Sequence, residues 1–153
     1  MRAVIYTITL FAFGFGMNHV AQAQTDLELA EFYYNEGSYE QAKLYLVEIY
    51  KRNKTNAVYQ MYYKSLLAME DFEAAESLVK TKIRRTHKNS KANVYVDLGS
   101  LYLNFEMEEE ARGAFDKALD LLQPGRSQAV RLANAFIKLD ELDLAYATYQ
   151  KAQ

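Results

Sequence analysis

The sequence contains no cysteine and no tryptophan, and it has one proline and six glycines in 153 residues. The absence of cysteine excludes disulfide bonds, cysteine-ligated zinc or iron–sulfur sites, a thiol nucleophile and a lipid attached through an N-terminal cysteine. Because proline and glycine are scarce, few residues favour turns. A fold of many short strands is therefore disfavoured, and a helical fold is favoured. The formal net charge of −2 gives no overall reason to expect nucleic acid as a partner.

The composition is that of a globular protein. Half of the residues are apolar, a quarter are charged and 14% are aromatic. A chain with this much apolar and aromatic content can bury a core, which excludes a disordered or low-complexity protein.

The N-terminus carries the pattern of a secretory signal peptide. Arg2 is followed by the apolar run 3–15 (AVIYTITLFAFGF), a short polar spacer and then Ala21-Gln22-Ala23. A positive start, a short apolar core and small residues before a cleavage point define such a leader.

We therefore predict that residues 1–23 are a signal peptide and that cleavage occurs between Ala23 and Gln24. The alternative, an uncleaved membrane anchor, needs about 20 apolar residues, and polar residues interrupt this run. Export to a periplasm or to the outside of the cell follows from the prediction, with membrane contact only through the leader.

Four similar segments follow, and each brings an alanine to the same position. These alanines are Ala42, Ala75, Ala111 and Ala145, and they recur at nearly equal intervals. Apolar residues at i, i+3 and i+4 precede and follow each alanine, which is typical of two amphipathic helices in each segment. The pattern predicts an all-α fold of about four helix-turn-helix repeats, of which the last is either complete or cut short. The predicted repeats are 24–55, 56–90, 91–126 and 127–153. The predicted helices are 26–36, 40–52, 56–69, 72–86, 91–104, 108–122, 127–138 and 141–152.

Cap residues support these boundaries. Asp71 and Asp140 stand where an N-cap is expected, and Ser38 with Gln41 has the spacing of a capping box. We expect these side chains to satisfy free backbone N–H groups at the starts of their helices.

The third repeat (91–126) resembles the tetratricopeptide repeat (TPR) family. The helix-turn-helix repeat of that family has about the same length as the interval between the aligned alanines. Its matching residues are Tyr95, Leu98, Gly99, Tyr102, Ala111, Phe115 and Ala118. The resemblance extends over residues 24–153 and implies an α-solenoid, in which successive helix pairs stack into a superhelix. It also implies a non-enzymatic protein-interaction module without a cofactor.

Close helix packing explains the small residues in this pattern. We expect the small residue of the first helix and the alanine of the second to face each other. The second repeat (56–90) departs from the pattern, because Tyr63 occupies the small-residue position and Lys82 occupies the second alanine position. We predict either a wider helix pair there or a register shift that turns Ile83 inward.

The resemblance also implies a binding surface. In the TPR family the first helices of successive units line a concave groove that receives an extended peptide or a helix. Carried over by position, the groove residues here are Tyr34, Asn35, Lys64, Leu67, Ser100, Leu103, Asn104, Asn134, Ile137 and Lys138. Asparagine amides in such a groove can hold a peptide backbone. The alternative is that these residues are only solvated surface.

Residues 80–91 carry six basic residues and no acidic one, namely Lys80, Lys82, Arg84, Arg85, Lys88 and Lys91. One interpretation is a patch for an anionic partner, such as an acidic protein, phospholipid headgroups or a polysaccharide. The other is that cations offset the negative end of a helix dipole and precede a solvated loop.

No catalytic, metal or cofactor site is predicted. The only histidine after the predicted leader is His87, and a metal site needs several convergent ligands.

The leading hypothesis is a scaffold that binds a protein or peptide partner. Three alternatives stay open: a structural spacer or oligomerisation arm, a docking portion of a longer protein, and a binder of anionic glycan or lipid through residues 80–91. Self-association would use the C-terminal helix, where Ala145, Tyr149 and Ala152 are expected to leave an apolar edge.

Overall fold

The structure is a computed structural model that describes residues 25–152, and these residues contain helices and no strand. The predicted signal peptide lies outside the described residues. Helix α1 is described over residues 25–35, and it is followed by α2 (Tyr39–Arg52), α3 (Asn56–Ala68), α4 (Phe72–Arg85), α5 (Lys88–Asn104), α6 (Glu108–Asp120), α7 (Arg126–Ile137) and α8 (Leu142–Lys151). Helices α2 to α8 begin and end within three residues of the predicted positions, which confirms the all-α prediction for the described chain.

The chain forms two compact units that divide between Met69 and Glu70. The described part of the first unit contains α1 to α3, and that of the second contains α4 to α8. The boundary falls between α3 and α4, inside the predicted repeat 56–90, so the repeat limits stay a prediction.

The core of the first unit is built from small and aliphatic side chains surrounded by tyrosines. Ala30, Ala42 and Leu46 are fully buried where α1 meets α2. Tyr33 and Tyr45 pack against this core, and their rings stack on each other with centroids 5.9 Å apart. Each tyrosine adds a large apolar area while its hydroxyl stays near water, so half-buried rings close this small core.

In the second unit α5 is the central helix, because it packs against α4, α6 and α7, while α7 packs against α8. The Asn93 side-chain amide Nδ2 lies 3.5 Å from the carbonyl oxygen of Arg131, to which it donates. These are the sixth residues of α5 and α7. The two helices therefore run side by side in the same direction and nearly in register.

Gly99 marks the closest approach between α5 and α6. A Cβ atom placed on Gly99 would lie 2.2 Å from Cε1 and 2.5 Å from Cδ1 of Phe115. The nearest atoms thus belong to an aromatic ring, not to Ala111 as we predicted. The small residue is needed because the Phe115 ring, itself buried, occupies the space that a side chain would take.

Four turns share one backbone conformation that the sequence did not reveal. Gly37, Glu70, Glu106 and Asp140 have φ values of 73°, 54°, 58° and 62°. Each lies five residues before one of the aligned alanines. A left-handed residue of this kind ends a helix, and a Cβ atom there costs about 1–2 kcal/mol. The recurrence of this turn shows that the repeat is present in the backbone as well as in the sequence.

Two of the predicted caps are wrong. Ser38 makes no side-chain hydrogen bond as an N-cap. Asp140 lies in the left-handed turn instead, and the following Glu141 holds the cap position. Asp71 is confirmed, because its Oδ1 accepts a hydrogen bond of 3.2 Å from the backbone N–H of Ala74.

The irregular second repeat keeps its large side chains inside. Tyr63 is buried in the first unit, where its ring stacks on that of Tyr59 with centroids 5.9 Å apart. Ile83 is buried in the second unit, as the register-shift alternative predicts. Lys82 is half-buried beside it.

Candidate functional site

In the second unit the predicted groove residues lie on two adjacent parallel helices. Ser100 and Leu103 are half-buried on α5, whereas Asn134, Ile137 and Lys138 are exposed on α7 and at its end. The contact between α5 and α7 joins residues 38 positions apart. At this offset Ser100 lies level with Lys138. The predicted face is therefore contributed by two neighbouring helices of the second unit.

One asparagine of this face is already engaged. The side-chain Nδ2 of Asn104 donates a hydrogen bond of 2.7 Å to the carbonyl oxygen of Ser100 in its own helix. Its side-chain oxygen is left to accept a bond from a ligand. Asn134 therefore has the greater capacity to donate to a peptide carbonyl.

The groove residues of the first unit lie on α1 and α3. Tyr34 is half-buried, and its ring meets that of Tyr39 edge to face with centroids 5.8 Å apart. Asn35 and Lys64 are exposed, and Leu67 is half-buried. Tyr34 is thus chiefly a packing residue of the first unit, and the exposed pair is the more accessible to a ligand.

The basic run spans the end of α4 and the start of α5, and half of its cations are engaged. The Lys80 Nζ lies 2.7 Å from Oε1 of Glu76, and Nη2 of Arg84 donates a bond of 2.8 Å to Oγ1 of Thr81. Burial lowers the pKa of Lys82, and the charge of Asp97 opposes this shift.

The freely accessible part of the run is therefore smaller than the sequence suggests. Arg85 and Lys88 are exposed at the turn between the helices, and Lys91 is half-buried one turn further along. Lys80 and Arg84 bond within their own helix α4, and only Lys82 is half-buried.

A polar network between α4 and α5 could not be predicted from the sequence. The Tyr102 hydroxyl donates a hydrogen bond of 2.7 Å to Oε1 of Glu76, which also pairs with Lys80. The bonds from Lys80 and Tyr102 lower the pKa of the Glu76 carboxyl. Burial, together with the bond to Glu76, raises the pKa of Tyr102 to about 12. Because 26 residues separate the partners, no short motif signals the contact.

The C-terminal helix has an exposed apolar face. Leu142, Tyr146 and Tyr149 project from α8 at helical spacing and are exposed. The prediction is wrong for Ala145, which is buried within the unit. The edge therefore consists of larger side chains than the sequence pattern suggested.

Residues 25–152 contain no group of three or more histidine, cysteine, aspartate or glutamate side chains placed to hold a metal ion. In the same part of the chain no helix has both the length and the apolar character needed to span a membrane.

Comparison with known families identifies the hairpin at the centre of the second unit. Residues 92–121, which form most of α5 and all of α6, match a family model of the tetratricopeptide repeat. No curated protein sequence matches the chain. The match confirms the resemblance of the third repeat and supports a TPR-repeat protein.

Proposed function

We propose that this TPR-repeat chain is a non-enzymatic scaffold that binds a protein partner, as an extended peptide or a helix, along the first helices of its repeats. The single observation that carries the proposal is the repeat match at residues 92–121. The predicted α-solenoid arrangement of four units is part of the same proposal.

The face formed by α5 and α7 has the chemistry that peptide binding requires. On α7 the side chains of Val130 and Ile137 are 37% and 48% exposed, and they flank the exposed amide of Asn134. Aliphatic side chains can receive apolar residues of a ligand, while an amide can bond to its backbone. Leu103 on α5 adds a half-buried aliphatic surface beside them.

Site-specific crosslinking in intact cells tests this face. A photoreactive amino acid introduced at Asn134 or Ser100 should capture one recurring protein, identified by mass spectrometry. The same residue introduced at Lys117 or Asp116, which are exposed on α6, should not capture it. Equal capture from both helices would contradict the proposed face.

A second variant separates binding from folding. Leu103→Asp with Ile137→Asp should abolish capture of that protein, because charges replace the apolar contacts. The far-ultraviolet circular dichroism should stay unchanged, since neither residue is fully buried. Undiminished capture by this variant would show that the partner binds elsewhere.

Export is the second part of the proposal, and it is supported by the leader pattern of residues 1–23. Intact-mass measurement of the protein isolated from cells should show that this leader has been removed and that the chain begins at Gln24. An uncleaved chain in the cytoplasmic fraction would contradict this part and leave the scaffold proposal untouched.

The alternative of an anionic glycan or lipid ligand is less well supported. Lys80, Lys82 and Arg84 of the basic run already have partners or are half-buried within the second unit. The other two alternatives, a structural spacer and a docking portion of a longer protein, have the same repeat architecture as the scaffold. The identity of the protein captured by crosslinking would distinguish these alternatives from the scaffold.

A further inference from the structure

The second unit has one acidic end. The turns before α4, α6 and α8 all lie at this end, because the helices alternate in direction. Phe72 at the start of α4 contacts Phe105 at the end of α5, with ring centroids 5.0 Å apart, which fixes two of these turns together. The acidic end comprises Glu70, Glu73, Glu106, Glu108, Glu109, Glu110, Asp140 and Asp143, and all of these side chains are exposed. Arg112 and Lys138 stand two residues from Glu110 and Asp140 in the sequence.

The opposite end is basic. The exposed cations there are Arg84, Arg85, Lys88, Arg126 and Arg131, and Lys91 is half-buried. Arg84 and Arg131 bond to the neutral hydroxyls of Thr81 and Ser127, which leave their charges in place. The contact between Asn93 and Arg131 places the starts of α5 and α7 side by side. Asp120 also lies at this end, but it pairs with Lys151 at 3.3 Å. Asp116 lies one turn before it.

The two ends are well separated in space. Helix α5 has 17 residues and runs from the basic end to the acidic end. At about 1.5 Å per residue it is about 25 Å long. This exceeds the Debye length of about 8 Å at physiological ionic strength, so the two ends act as independent charged surfaces.

Helix dipoles explain only part of this separation. Acidic residues at the starts of α4, α6 and α8 face positive helix ends, and this placement is stabilising. The starts of α5 and α7 are also positive helix ends, yet they carry Lys88, Lys91 and Arg126 and have no acid in the first turn. Those cations oppose the dipole. Capping therefore does not account for the basic end.

We propose that the basic end of one copy binds the acidic end of another, so that the chain associates head to tail. The chain carries both complementary surfaces on one compact unit. The partner is thus a second copy, which meets a surface of opposite charge without any further component. A heterologous contact of this kind generates a ring or an open filament.

The contact is expected to be weak and dependent on salt. Exposed ion pairs each contribute about 0–1 kcal/mol, so measurable association needs several of them at once. Such pairs are screened by added salt. Sedimentation velocity of the full chain should show a sedimentation coefficient that rises with protein concentration at low salt, on the order of 20 mM, and falls back at about 300 mM.

Two charge-reversal variants test the pairing. In the first, Arg84→Glu, Arg85→Glu and Lys88→Glu cancel the net positive charge of the basic end. In the second, Glu106→Lys, Glu108→Lys and Glu109→Lys remove most of the net negative charge of the acidic end. Each variant alone should associate only weakly, because its altered end no longer complements its unaltered one. An equimolar mixture pairs the unaltered acidic end of the first with the unaltered basic end of the second, so it should associate at low salt with an apparent Kd roughly tenfold below that of either variant alone.

The mixture keeps the test independent of folding, since a variant that had merely unfolded would not regain association when mixed. A matched control is Arg52→Glu with Lys54→Glu, which reverses exposed cations of the first unit. This control should self-associate as the unaltered chain does.

Three results would overturn the proposal. The first is a mixture that stays monomeric. The second is self-association that survives both charge reversals but is lost in Tyr146→Ser with Tyr149→Ser, which would assign the contact to α8. The third is a mixture without association while the unaltered chain binds phosphatidylglycerol vesicles through Arg84 and Arg85, which would make an anionic lipid the partner of the basic end.

Discussion

The Tyr102 hydroxyl and the Glu76 carboxylate form a hydrogen bond of 2.7 Å that joins α5 to α4. The tyrosine ring is buried, and only a quarter of the Glu76 side chain is exposed. Lys80 pairs with the same carboxylate oxygen. Because a charge-assisted bond at a partly buried site is stronger than an exposed ion pair, this network is a strong polar link between the two helices.

Replacing Tyr102→Phe should destabilise the protein by about 1 kcal/mol at pH 7 to 9, because the ring stays while the hydrogen bond is lost. The pKa of Tyr102 is raised to about 12, above its ordinary value of 10. The folded chain thus keeps a proton that the unfolded chain has lost between pH 10 and 12, so this stabilisation is complete below pH 10 and declines as pH rises toward 12. Urea unfolding at several pH values should show the variant and the original converging in that interval. A constant difference up to pH 11 or beyond would contradict the assignment.

Glu76→Gln should reveal the opposite pH dependence. The pKa of Glu76 is lowered in the folded state, so its contribution is present above the ordinary pKa of a glutamate and is lost as pH falls through the lower folded value. We expect a loss of about 1 kcal/mol at pH 7 that shrinks at acidic pH. Glu48→Gln is the matched control, because Glu48 pairs with Lys51 at 2.6 Å on the open surface. Its effect on urea unfolding should be smaller at every pH.

Gly99→Ala should destabilise the protein by about 1–3 kcal/mol, because the added Cβ atom would overlap the buried ring of Phe115. Gly113→Ala in the neighbouring helix α6 provides the contrast. Apart from its chain neighbours and the backbone of its own helix, no atom lies within 4 Å of a Cβ atom at Gly113, so the better helix propensity of alanine should stabilise the protein by about 0.5–1 kcal/mol. Thermal unfolding should move the two melting temperatures in opposite directions. A stabilising Gly99→Ala would show that the ring can shift at little cost.

The left-handed turns predict a reciprocal pair of effects. Gly37→Ala should destabilise the first unit by about 1 kcal/mol, although space is available, because φ is 73° there. Glu106→Gly should stabilise the second unit by roughly 0.5 kcal/mol, since relief of the Cβ strain exceeds the entropy of the added glycine. Differential scanning calorimetry of both variants measures the two signs. Two changes of the same sign would mean that the turns are not equivalent.

The sequence predicted the helices well because their signals are local. The i, i+3, i+4 spacing of apolar residues and the aligned alanines depend on neighbours within one or two turns. The caps were predicted less well. Ser38 holds the N-cap position but its side chain makes no cap hydrogen bond, whereas the left-handed conformation of Asp140 leaves the cap position to Glu141. A glycine in the sequence indicates that a left-handed conformation is possible, whereas a glutamate or an aspartate gives no such indication.

Contacts between helices were the least predictable. The pattern indicated that Gly99 must be small, whereas only the packed structure shows that the ring of Phe115 fills the space. The sequence indicated that the basic run is one patch. In the structure three of its six cations interact with Glu76, Thr81 and Asp97. The two charged ends of the second unit also emerge only when the helices alternate in direction.

The amino-acid sequence by itself determined that this protein is helical, that one helix-turn-helix pattern recurs along it and that small side chains return where helices approach. These properties follow from periodicity and side-chain size, which are written along the chain. The tertiary structure decided which side chains fill those close approaches, which cations stay accessible and where the charges collect. These depend on residues such as Glu76 and Tyr102, which are distant in sequence and meet only after the helices pack.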